Sequence, residues 1–209
     1  SPETEALHRR IRAPRPAEAE TAPTLAVMPL ANLSDDPDQA WLARAFTEDL
    51  TAELGRFRVL RVIAAASAAA VAGSVASPAE AAERLGARYL LSGSFRRGGE
   101  RIRLAAELTD AQEGRHLWSQ RLDLTLDRLR AAENDMAATI AGTLVKRLEH
   151  TLVQEARAKP AGDLLAWECW LRGLSLLRSG EPDHHDEAAA LFTRALSLEG
   201  VPLDHVGFV

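Results

Sequence analysis

The apolar residues of this chain fall into short blocks with three spacings: continuous, every second residue, and every third or fourth. Residues 24–30 form a continuous apolar run, Leu25-Ala26-Val27-Met28-Pro29-Leu30 after Thr24. Such a run suits a strand buried on both faces. Pro29 has no N–H to give, so it takes the end of that strand out of a hydrogen-bonded ladder. Asp35-Asp36-Pro37 reads as a helix entry with Asp35 and Asp36 as caps, and Trp41, Leu42, Ala45, Phe46, Leu50 and Leu54 follow at helical spacing up to Gly55. Residues 56–64 carry Phe57, Val59, Leu60, Val62 and Ile63 and read as a second strand. Ser77-Pro78-Ala79-Glu80 is a second helix entry. Ser77 caps it, Pro78 takes the first helical position, and Glu80 completes a capping box. Leu85 and Gly86 close that helix.

Residues 88–97 and 100–108 read as strands joined across Gly98-Gly99, a two-residue hairpin turn. Ile102, Leu104, Ala106 and Leu108 alternate with Arg101, Arg103, Ala105 and Glu107. A period of two sends one face to a core and the other to solvent. After a turn from Asp110 to Gly114, residues 115–124 form a third strand with Trp118 and Leu122 on one face. The order β-α-β-α-β-β-β predicts an α+β fold, an α/β sandwich. Its mixed sheet has about five strands, the first three parallel through helical crossovers and the last a meander, backed by two packed helices.

Residues 126–157 read as one long helix with a narrow stripe, Leu129, Met136, Ile140, Leu144, Leu148 and Leu152. Lys159-Pro160-Ala161-Gly162 reads as a hinge, and residues 163–178 and 186–198 as a helical hairpin. At the other end, residues 1–13 read as a short helix that belongs to a preceding domain, and the Pro-, Ala- and Glu-rich residues 14–23 as a linker. The chain starts Ser-Pro-Glu-Thr, which reads as an excision boundary. Four parts follow: residues 1–23, the α/β domain over 24–127, a connector helix over 128–160, and a helical repeat over 161–209.

Composition narrows the function classes. Of 209 residues 46% are apolar and 26% charged, an ordinary balance for a domain with a core, and the net charge of −5 argues against a surface that wraps nucleic acid. Cys169 is the only cysteine, so no intrachain disulfide forms, in keeping with a cytoplasmic location. No apolar run approaches the roughly 18 residues of a membrane span. The alanine-rich stretch over 62–76 is broken by Ser67, Gly73 and Ser74.

Candidate chemistry is sparse. Arg96, Arg97, Arg101, Arg103, Arg115 and Arg121 all fall on the three-strand meander. Arg96, Arg101 and Arg103 are the candidate contacts to an anionic ligand, since clustered guanidinium groups grip phosphate or carboxylate. Glu100, Glu107, Glu113 and Asp123 interleave with them, so cross-strand ion pairs compete with that reading. Met136, Ile140, Leu144 and Leu148 are the candidate seam of a homodimer. His184-His185-Asp186 reads as a solvated loop rather than a metal site. Cys169, between Trp167 and Trp170, reads as either a thiol without a base or a packing residue. Asn32-Leu33-Ser34-Asp35 stands where a phosphate cradle would follow the first strand, and its acidic end repels phosphate. No nucleophile elbow appears. The chain therefore reads as a non-enzyme with no cofactor and no resident metal.

Three stretches resemble known families. Residues 24 to about 127 resemble the TolB-like amino-terminal domain of bacterial signalling proteins. The resemblance rests on Leu25 to Ser34, Phe46-Thr47-Glu48-Asp49-Leu50, Leu85 to Ser94, and Ala111 to Trp118. It implies no catalytic residues, and fusion to helical repeats and to an output module, either a DNA-binding head or a nucleotide cyclase. Residues 64–70, where that family usually carries Ser, Phe and Lys, are Ala-Ala-Ala-Ser-Ala-Ala-Ala here. Residues 161–200 resemble one tetratricopeptide repeat through Gly173, Ala188, Phe192 and Ala195, with a longer inter-helix turn and Gly200 in place of the closing proline. Residues 1–13 resemble the end of the bacterial transcriptional activator domain. Together these imply a sensory and protein-interaction module of a cytoplasmic transcription regulator. DNA would be met only through a missing amino-terminal domain, a protein partner through the repeats, and a small-molecule ligand through the core. The alternative is the same module in an adenylate or guanylate cyclase signalling protein.

Overall fold

The computed structural model describes residues 22–34, 36, 39–125, 133–181 and 183–198. The helix expected over 1–13, most of the linker after it, and the start of the long helix at 126–132 lie outside the described residues. Two compact units divide the chain, one at Pro23–His150 and one that holds the residues from Thr151 on, so the expected connector helix is shared between them. No helix among the described residues is long and apolar enough to cross a membrane.

In the first unit, β1 (Thr24–Val27) is buried on both faces, as its continuous apolar run requires. The chain then meets Pro29 and the ladder breaks. Met28, Pro29 and Leu30 stand opposite only Ser92 and Gly93 of β4 (Tyr89–Gly98), and pairing resumes at β2 (Ala31–Asn32). The two short strands are therefore one parallel partner of β4, interrupted by a bulge. The N–H that the bulge frees on Leu30 donates to Thr47 Oγ1 at 3.2 Å, and that hydroxyl donates to the Ala43 carbonyl at 2.7 Å. Thr47 is buried on α1 (Ala40–Gly55). Thr47→Val keeps the shape but leaves the Leu30 N–H without an acceptor. It should cost about 1–3 kcal/mol, seen as a lower urea midpoint at unchanged slope, while Thr47→Ser keeps most of the stability.

The sheet runs β3-β1-β4-β5-β6, with β3 (Arg61–Val62) and β4 parallel to β1, and β5 (Arg101–Asp110) and β6 (Arg115–Thr125) continuing as an antiparallel meander. This is the mixed sheet expected, with β2 as an additional short strand. On β5, Ile102, Leu104, Ala106 and Leu108 are buried, while Arg101, Arg103 and Glu107 are exposed. The hairpin turn lies one residue further on than expected. Gly98 still pairs with Arg101, so Gly99 and Glu100 make the turn. Gly99 has φ 58° and Glu100 a negative φ, the pattern of a type II′ turn.

Four local expectations change. Residues 56–60 form a turn, closed by Phe57 N–H to Leu54 O at 3.1 Å and Leu60 N–H to Phe57 O at 3.4 Å, so only Arg61 and Val62 remain as strand. The alanine-rich stretch holds an unforeseen helix, α2 (Ala65–Ala72), because alanine loses the least entropy in a helix. The first helix begins at Ala40 without a side-chain cap. Asp36 instead holds the approach, its Oδ2 accepting from Gln39 Nε2 at 3.1 Å; Asp35 lies outside the described residues. In α3 (Pro78–Leu85) Ser77 Oγ accepts from Glu80 N–H at 3.2 Å as expected. The Glu80 carboxylate reaches Ala76 N–H at 3.0 Å rather than that of Ser77. Gly86 ends this helix at φ 61°, a left-handed value that favours glycine.

The long helix α4 (Glu133–Ala158) corrects the expected dimer seam. Met136, Ile140, Leu144 and Leu148 are only 9, 1, 0 and 1% exposed. A seam between copies needs apolar side chains at the surface, and here the chain's own fold covers them.

In the second unit, α5 (Ala166–Ser179) and α6 (His184–Ser197) make the expected hairpin. Its core is Ala156, Leu164, Cys169, Leu176, Ala188, Leu191 and Ala195, with Trp170 and Phe192 against it. Gly173 lets the helices touch. A Cβ there would lie 2.8 Å from Phe192 Cε1 and 2.9 Å from its Cζ. Buried Glu168 accepts from Lys159 Nζ at 2.6 Å and from Leu165 N–H at 2.9 Å, which ties the turn before α5 to its first turn.

Candidate functional site

The register of the meander decides which side chains share its open face. From β4 come Ser92, Ser94 and Arg96. From β5 come Arg101, Arg103, Ala105 and Glu107, and from β6 Ser119, Arg121, Asp123 and Thr125. Gly98 and the hairpin turn bring the arginines to one end, where Arg96, Arg101, Arg103, Asp123 and Thr125 line a groove of about 560 Å³. Further along, Ser92, Ser94, Ala105, Glu107, His116 and Arg121 line a second, shallow groove of about 570 Å³.

All three candidate anion contacts therefore meet in one place, with different commitments. Arg96 stands directly opposite Arg103, and its Nε donates to the Leu33 carbonyl at 3.0 Å. Arg103 Nε donates to Asp123 Oδ1 at 2.6 Å, with both side chains more than half exposed. Water screens such a pair, which contributes at most about 1 kcal/mol. Among the described residues Arg101 has no hydrogen bond or ion pair. The other arginines are spread out. Arg97 Nε donates to the Gly99 carbonyl, Arg115 pairs with Glu113 at 3.0 Å, and Glu107 stands 3.4 Å from His116. Among the described residues and these six arginines, Arg103–Asp123 is the cross-strand pair with a carboxylate, and the end of the groove keeps guanidinium edges open to a carboxylate or phosphate.

A third cavity, about 520 Å³, opens at the carboxyl ends of β1 and β3, lined by Pro29, Leu30, Ala40, Arg44, Thr47, Glu48, Ala65, Ala66 and Ala69. Open α/β sheets bind ligands at such ends. The charges at this one, Arg44 and Glu48, satisfy each other at 3.1 Å. The remaining wall is mostly alanine, Ala40, Ala65, Ala66 and Ala69. Thr47 and Gly93, which shape the neighbouring bulge, were missed in the sequence; a proline inside a strand run was the one signal for it.

His184, His185 and Asp186 lie in the first turn of α6, not in a loop. His184 Nδ1 is 2.7 Å from Ser179 Oγ, and its Nε2 is 3.4 Å from Glu181. Cys169 is fully buried. Burial pushes its thiol above the ordinary value, with Arg194 pulling the other way, so thiolate chemistry is disfavoured there.

No protein-family profile matches the chain. Among solved structures, TolB from Acinetobacter baumannii has a TM-score of 0.43 at 13% identity, covering 61% of this chain and 28% of that one. The LpoB C-terminal domain from Salmonella enterica has a TM-score of 0.41 at 20% identity, covering 50% of this chain and 83% of that one. Among curated proteins, "Putative adenylate cyclase 3" of Rhizobium meliloti (strain 1021) is 32% identical over 191 residues. The match covers 90% of this chain and 32% of that protein, so the chain spans about a third of the length of this relative.

Proposed function

We propose that this chain is a non-catalytic regulatory region of a bacterial nucleotide-cyclase signalling protein. The observation that carries the proposal is the 191-residue match to a protein named as an adenylate cyclase, a length that exceeds the unit at Pro23–His150 and so runs on into the second. It favours the cyclase reading over the transcription-regulator reading. The chain corresponds to about a third of that relative, which leaves room in such a protein for a separate catalytic domain.

In this proposal the α/β unit is a TolB-like domain that senses a ligand or partner. The α5–α6 hairpin is one tetratricopeptide repeat of a larger array that offers a helical groove to a protein. The close approach at Gly173 and Phe192, with Ala188 and Ala195 buried beside it, suits that repeat. The arginine groove suits an anionic ligand. A cytoplasmic location is part of the proposal, and the one cysteine, free and buried, is in keeping with it.

Incubated with ATP or GTP and Mg²⁺ or Mn²⁺, the chain should form no cyclic AMP or cyclic GMP. Turnover by the chain itself would place the catalytic site within it and end the regulatory reading.

A further inference from the structure

β6 is the last strand of the sheet. It pairs with β5 along one edge, and among the described residues no backbone group pairs with the other. Proteins usually guard such an edge with brevity, proline, a bulge or charged side chains, and charges repel a second copy only where like faces like. The one irregularity here lies between Leu108 and Thr109, near the start of β6, and the strand from Trp118 to Thr125 is regular against β5 with no proline or glycine. Two exposed charges of opposite sign stand two residues apart on this stretch, Arg121 and Asp123. Asp123 gives only Oδ1 to Arg103. Among the described residues its Oδ2 and the whole Arg121 guanidinium have no partner.

We propose that this edge joins two copies of the chain, β6 pairing antiparallel with β6 of the second copy about a two-fold axis at Leu122. Charge selects this register. With the axis at Leu122, Arg121 of each copy lies opposite Asp123 of the other, so two ion pairs form and each uses the unclaimed Oδ2. An axis at Arg121 opposes two guanidinium groups, one at Asp123 opposes two carboxylates, and one at Gln120 sets Leu117 against Asp123. Opposite charges directly across a strand pair stabilise it and like charges destabilise it. The patch is self-complementary, as a two-fold interface must be. Half-buried Leu122 lies on the axis, where the partner strand covers it.

Light scattering on the intact chain should give twice its 22.7 kDa. Arg121→Asp and Asp123→Arg should each weaken self-association by roughly tenfold or more, because two attractive pairs become two repulsive ones. An equimolar mixture of the two variants should associate again, since every cross-strand pair between them is then of opposite sign. Both substitutions sit on exposed side chains, and circular dichroism checks that each variant folds. A monomer at all accessible concentrations overturns the proposal. So does a dimer indifferent to both substitutions, or a mixture no tighter than either variant alone.

Discussion

Gly93→Ala should destabilise the α/β unit by about 3 kcal/mol, at the upper end of what overpacking a core costs. A Cβ at this position would overlap the carbonyl oxygen of Ala105 on the neighbouring strand and lie 2.8 Å from Leu30 Cδ2. The first obstacle is backbone and cannot rotate away. The second is the side chain that the β1–β2 bulge aims over β4, so relief there would undo the bulge and its bond to Thr47. Gly142→Ala is the matched control. It lies within α4, where the added methyl meets no atom of the described residues within 4 Å beyond the helix's own local backbone and its two chain neighbours, and alanine is the better helix former by about 1 kcal/mol. Denaturant unfolding followed by hydrogen exchange at β4 and β5 separates the effect from the residues beyond Thr151. A Gly93→Ala protein as stable as the wild type would mean that the β4–β5 packing is looser than described.

Asp110→Ala should cost about 2–4 kcal/mol, less than the 3–5 kcal/mol typical of breaking a fully buried pair, because Arg88 keeps some access to water. The Asp110 carboxylate is fully buried and holds four bonds. Oδ2 accepts from Arg88 Nε at 3.1 Å and Nη2 at 3.0 Å, while Oδ1 accepts from the N–H groups of Gln112 at 3.0 Å and Glu113 at 3.2 Å. The side chain therefore closes the β5–β6 turn and anchors the start of β4 to the end of β5. Alanine removes the carboxylate that Arg88 and the two turn amides share. Asp110→Asn keeps an oxygen for the turn and loses the charge, so it should lose about half as much. Equal losses in the two variants would show that the turn bonds contribute nothing.

What the sequence made legible was local. The alternation on β5 and the Ser77-Pro78 entry to α3 each depend on residues within one turn or one strand, and both stand where expected. The bulge was illegible because Pro29 announces a break without saying that β4 resumes pairing two residues later with Gly93 beneath it. Asp110 looked like a turn residue only, since its cationic partner lies 22 positions away. The stripe on α4 reads the same whether its own chain or a second copy covers it, and burial decided against the seam. The arginine groove was half legible. Composition put the guanidinium groups on the meander, but the register alone sets Arg96 against Arg103 and leaves Arg101 uncommitted.

The regulatory account is tested most directly by reading the gene on both sides of the segment that encodes this chain. The account predicts a nucleotide-cyclase catalytic domain in the same reading frame. A DNA-binding domain there, with no cyclase, would contradict it.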